Sequence, residues 1–183
     1  MLIGDGWAFI HIPKCGGTSV RAVLEGAEVA DMMPMYPRNT ARHRFHWLSQ
    51  NRPEGKVFCF VRHPATWLRS YWLHRMRLGW LQDRYLDKLG SRNMNEFIRR
   101  VCIHEPGYVS EMYKAYTSAF DRVDVYRMEY GIDKVIRDTT GIKTPAPHEN
   151  SGGELPPIDR SLLGLIAACE AWSLERFGYK EKI

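Results

Sequence analysis

Two short, nearly unbroken apolar runs stand out along the chain: Trp7-Ala8-Phe9-Ile10-His11-Ile12, stopped by Pro13, and Lys56-Val57-Phe58-Cys59-Phe60-Val61. Neither alternates apolar with polar positions, so both predict strands covered on two faces, as in the middle of a parallel sheet. Val123-Asp124-Val125-Tyr126 predicts a third strand. Helical spacing predicts helices over Ser19–Glu25, capped by Thr18-Ser19, then over Arg42–Ser49 and Ala65–Leu78. Residues 80–120 read as helical pieces, with Asn93 or Asn95 as caps and Pro106-Gly107 as a break. Ile132–Thr139 predicts a helix ending at Gly141. Ile158–Phe177 predicts one long helix with Leu162, Leu165, Ile166, Cys169, Trp172 and Leu174 on its apolar face. Residues 32–40 and 143–157 are rich in turn formers and read as loops. Strands alternating with helices predict a three-layer α/β fold, its central sheet mainly parallel and flanked by helices.

Composition narrows the picture. A chain of 183 residues, 44% hydrophobic and 26% charged, fits a single domain over 1–183 with a sizeable core. It holds no apolar stretch of membrane-spanning length and no secretory leader pattern. The four cysteines, Cys15, Cys59, Cys102 and Cys169, are widely spaced without a CxxC pair. That argues against a zinc site or disulfide framework and for a reducing, cytoplasmic compartment. The net charge of +5 favours anionic ligands. Without a zinc-finger spacing, a repeat or a basic tail, it gives no specific case for nucleic acid.

Chemistry concentrates at two strand ends. After the first strand, Pro13-Lys14-Cys15-Gly16-Gly17-Thr18-Ser19 forms a glycine turn opening a helix. Such a turn offers backbone N–H groups and a positive helix end to an anion, with the Lys14 ammonium and the Thr18 and Ser19 hydroxyls beside them. Lysine precedes the glycines, unlike the order of a nucleotide kinase loop. Cys15 and Arg21 also satisfy a C-x5-R spacing, which suits a cysteine-dependent phosphatase with Cys15 as nucleophile and Arg21 as oxyanion clamp. After the second strand, Arg62-His63-Pro64 leads into a helix carrying Ser70, a guanidinium fork and a hydroxyl suited to a phosphate monoester. Arg69, Arg75 and Arg77 are expected at the surface or facing substrate, and His11 is expected to be structural.

Taken together, these two segments resemble the sulfotransferases that use 3′-phosphoadenosine 5′-phosphosulfate, in particular the carbohydrate and related bacterial branch. His11 through Ser19 resembles the family's 5′-phosphosulfate loop, and Arg62-His63-Pro64 with Ser70-Tyr71 resembles its 3′-phosphate motif. Glu129-Tyr130 and Phe177-Gly178-Tyr179 match less specific positions. The resemblance implies a P-loop-like fold in which Pro13, Lys14, Cys15, Gly16, Gly17, Thr18 and Ser19 hold the 5′ end, and Arg62 and Ser70 the 3′-phosphate. Lys14 is then expected at the sulfonate–phosphate bridge. A second arginine of the family's 3′-phosphate helix falls at Trp67, and the late Arg-Lys-Gly loop of the cytosolic branch is absent.

Sulfuryl transfer to a hydroxyl needs a general base, and histidine suits neutral pH. His43 and His46, three apart on the expected 42–49 helix, are the candidates, with His43 at the position the resemblance implies; Glu25 is a third. The donor is 3′-phosphoadenosine 5′-phosphosulfate, the product 3′-phosphoadenosine 5′-phosphate, and no metal is expected. The acceptor is a glycan or small molecule. Trp47, Trp67, Trp72 and Trp80 are candidates for ring stacking, with core packing as the ordinary alternative. The remaining alternatives are a P-loop-like nucleotide or sugar kinase, the Cys15 phosphatase, and a non-catalytic nucleotide-binding module.

Overall fold

The computed structural model describes residues 1–24, 28–29, 55–81, 84–118, 120–145 and 156–180. The expected 42–49 helix, with His43, His46 and Trp47, lies outside the described residues, as do Glu25 and the centre of the 143–157 loop. The fold is mixed α/β, built on one five-stranded sheet. The chain divides into two compact units, Met1–Arg62 with Met112–Gly152, and His63–Glu111 with Gly153–Ile183.

The first unit contains the sheet. Its strands are β1 (Leu2–Gly4), β2 (Trp7–Ile10), β3 (Glu28–Val29), β4 (Lys56–Val61) and β5 (Asp124–Arg127), in the order β3-β1-β2-β4-β5. The two apolar runs become the parallel pair β2 and β4, aligned Phe9 to Phe58 and Ile10 to Cys59. Every residue of β2 is buried, and every residue of β4 except Lys56. This is the environment that their unbroken apolar pattern requires. Phe9 lies 5.3 Å from Phe58 and 6.1 Å from Phe60 between ring centroids, forming an aromatic seam across the two strands. β5 pairs parallel to β4, one residue later than its predicted start.

The other edge of the sheet is antiparallel. β1 turns into β2 through Asp5-Gly6, with Gly4 opposite Trp7, and β3 pairs antiparallel to β1. Sequence patterning passed over β1 because it is only three residues long. The Asp-Gly pair that closes the hairpin was its available signal. The helices of this unit are α1 (Gly17–Val23), the larger part of α4 (Tyr108–Thr117), and α5 (Ile132–Thr140), which ends against left-handed Gly141 as expected.

The second unit holds α2 (Pro64–Leu78), α3 (Met94–His104), the first turn of α4, and then α6 (Arg160–Cys169) and α7 (Ala171–Phe177). Asn93 caps α3 by accepting the Glu96 N–H at 3.0 Å, as the sequence suggested. Two expectations are corrected here. The single helix over 158–177 is broken at Glu170, whose backbone leaves helical geometry while its buried carboxylate accepts the Val109 N–H, the Ser110 N–H and the Ser110 hydroxyl at 3.0, 2.7 and 2.6 Å. Glu170 thereby caps the start of α4 from a distant point in the chain. Arg75 is not a surface charge. It is 2% exposed and pairs at 3.1 Å with Asp87, itself 2% exposed. Asp87 also accepts the Tyr71 hydroxyl at 2.6 Å and the Leu81 N–H at 2.9 Å, so the buried carboxylate is fully served.

Candidate functional site

The site candidate of the first unit is the turn between β2 and α1. Two residues there occupy the left-handed region, Lys14 at φ 64° and Gly16 at φ 79°. For glycine this costs nothing, whereas a non-glycine residue held there stores on the order of 1 kcal/mol. Gly16 is the N-cap of α1 and no side chain caps the helix, which corrects the expectation that Thr18 or Ser19 would do so. Both lie within the helix instead, Thr18 exposed and Ser19 half-buried. The first N–H groups of α1 have no partner within the helix by geometry alone.

Close approach fixes the two glycines. A Cβ on Gly17 would overlap the His11 ring, and one on Gly16 would overlap the Ile132 side chain at the start of α5. His11 stacks on Phe9 with an interplanar angle of 20°. Burial, then the charge of Arg21, the terminal amine and Lys14, lowers its pKa to about 4. It is therefore a neutral wall of the turn, the structural role the sequence suggested, and a weak base.

The end of β4 meets this turn. The Arg62 guanidinium reaches the Lys14 carbonyl with Nη1 at 3.5 Å, so Lys14 and Arg62, from the two predicted anion motifs, come together. Tyr113 of α4, 0% exposed, fixes the junction. Its hydroxyl donates to the Arg62 carbonyl at 2.7 Å and accepts the Arg62 N–H at 3.1 Å. The Cys15 thiol lies 3.6 Å from the same oxygen. A phenol has one proton, and a carbonyl can only accept, so the thiol must be the donor toward Tyr113. Burial pushes the Cys15 thiol up to about 12, against the opposing effect of the Arg62 charge. A neutral, buried, proton-donating thiol is a poor nucleophile. Tyr113 had no local sequence signal: it lies 51 positions from Arg62 and reads as one more core aromatic.

Other candidates fall in the second unit. His63 is a structural cap. Its Nδ1 accepts the Ala65 N–H at 3.2 Å, and its Nε2 donates to the Lys180 carbonyl at 2.9 Å. Its ring meets Tyr179 edge-on at 5.2 Å, which gives the terminal Gly178-Tyr179 segment a packing role. Ser70 is half-buried in the second turn of α2. Trp67 is buried, Trp72 donates to the Ser91 carbonyl at 2.9 Å, and Trp80 packs on Phe97 at 5.2 Å, so all three do core work. Among the described residues no group of three side chains is arranged to hold a metal, and no helix is long and apolar enough to cross a membrane.

No family model matches the chain, and comparison with characterised proteins and with solved structures returns no match.

Proposed function

We propose that the chain is a sulfotransferase that moves the sulfuryl group of 3′-phosphoadenosine 5′-phosphosulfate to an acceptor hydroxyl on a glycan or small metabolite, within a three-layer, P-loop-like fold. The observation that carries this reading is the convergence of Lys14 and Arg62 at the carboxyl ends of adjacent parallel strands. Ligands of open α/β sheets bind at such strand ends. A donor with phosphates at both ends of its ribose calls on cationic groups from both strand ends, and a single-phosphate ligand does not.

In the proposed reaction the acceptor oxygen attacks sulfur while the bond from sulfur to the bridging phosphate oxygen breaks. The acceptor proton passes to a base, for which His43, His46 and Glu25 remain the candidates. The departing electron pair stays on the nucleotide, where the Lys14 ammonium and the α1 N–H groups stabilise it. Arg62 is assigned to the 3′-phosphate. The same cradle in a kinase would work with magnesium, and the phosphatase alternative loses support because Cys15 is a buried hydrogen-bond donor.

Calorimetry with 3′-phosphoadenosine 5′-phosphate in chelator tests the reading. Binding is expected without magnesium, and Arg62→Ala should weaken it about 10- to 100-fold with the thermal midpoint checked in parallel. Equal affinity for adenosine 5′-phosphate, which lacks the 3′ group, would sink the assignment.

A further inference from the structure

Two cysteines of the second unit meet across a pair of packed helices. Cys102 lies in the last turns of α3 and is buried, while Cys169 ends α6 and is half-buried. The two helices pack together, and the Cys169 thiol donates to the Cys102 carbonyl at 3.5 Å. The sites are 67 residues apart in sequence, yet the surrounding structure fixes both. Gly107 passes beside the Cys169 carbonyl, and the adjoining Glu170 holds the first turn of α4 through three hydrogen bonds. Neither thiol has a part in the proposed reaction.

We propose that Cys102 and Cys169 form an intramolecular disulfide that joins α3 to the α6–α7 junction when the chain meets a small-molecule disulfide such as oxidised glutathione. The half-buried Cys169 sulfur reacts first. As its thiolate, it attacks one sulfur of the oxidant, whose S–S bond breaks, and one glutathione leaves and takes up a proton. Cys102 then loses its proton and attacks the Cys169 sulfur, expelling the second glutathione. Two protein thiols are oxidised and one glutathione disulfide is reduced to two thiols. Reduction of the new bond would have to expel a thiolate into this packed site. Burial raises both thiols' pKa values, Cys102 to about 12, so little of either is thiolate near neutral pH and both exchange steps should speed up as the pH rises.

The test is oxidative refolding of the full chain in oxidised and reduced glutathione, followed by non-reducing peptide mapping. The expected product is a linked pair of peptides carrying Cys102 and Cys169, short of two hydrogens, with Cys15 and Cys59 still alkylatable after denaturation. Its thermal midpoint should exceed that of the reduced chain by roughly 10 °C, a gain lost in both Cys102→Ser and Cys169→Ser. Four alkylatable cysteines after refolding, or a glutathione adduct on Cys169 that never resolves, would overturn the proposal. Because the readout needs no nucleotide, its outcome is independent of the sulfotransferase reading.

Discussion

A phenol that donates to one carbonyl has only its lone pairs left to offer, and Tyr113 spends them on the Arg62 N–H and the Cys15 thiol. This fixes what each partner can do. Cys15 is a donor that holds the turn, so Cys15→Ser keeps the donor and should leave nucleotide affinity within about threefold. Tyr113→Phe is different. It removes the Tyr113 hydroxyl from the part-buried N–H and C=O of Arg62, at about 1–3 kcal/mol, and should weaken nucleotide binding along with stability. Calorimetry on both variants checks the pair; hydrolysis of a phosphate monoester by the wild type that is abolished in Cys15→Ser would restore Cys15 as nucleophile. Thr18 and Ser19, by contrast, lie within α1, Thr18 exposed and Ser19 half-buried.

The helices show where sequence patterns reach and where they stop. Glu170 breaks an otherwise continuous apolar stripe and caps α4 with a carboxylate that is 2% exposed. Glu170→Ala strands two N–H groups and the Ser110 hydroxyl, so it should cost about 2–4 kcal/mol, read as a lower midpoint in denaturant. Wild-type stability in that variant would mean that the break in the helix, not the carboxylate, sets the junction. The strands β2 and β4 were legible because full burial leaves an unbroken apolar signature, the half-buried β5 from its short Val123–Tyr126 run, and α3 because Asn93 is a local cap. The 170 break was not legible, since its cause lies some sixty positions away at Val109 and Ser110. Arg75 was misread for the same reason: a buried arginine is recognised only through its partner, Asp87. Lys14 and Arg62 were found as separate motifs, and their meeting is a product of parallel pairing between β2 and β4.

For the whole molecule, acid acts on the two units in opposite directions. The folded pKa of His11 is about 4, below its ordinary 6.5, so the unfolded chain binds the extra proton first. Stability of the sheet unit should fall as pH drops from about 7 toward 4, by on the order of 2–3 kcal/mol. Burial raises the carboxyl of Glu170 in the second unit, so there the folded form takes up a proton before the unfolded one and acid relieves a penalty. Amide exchange at pH 7 and pH 5 should therefore lose protection in β2 and β4 and not in the first turn of α4; equal loss in both would refute the assignment. The left-handed backbone of Lys14 sets a second opposition, this one within a single residue. The chain's path at position 14 suits glycine or asparagine, while the ammonium suits an anion. A randomised library sorted only for folded molecules would drift to those small residues, and one sorted for anion capture would keep lysine. Residue 14 would then record which pressure its lineage had been under.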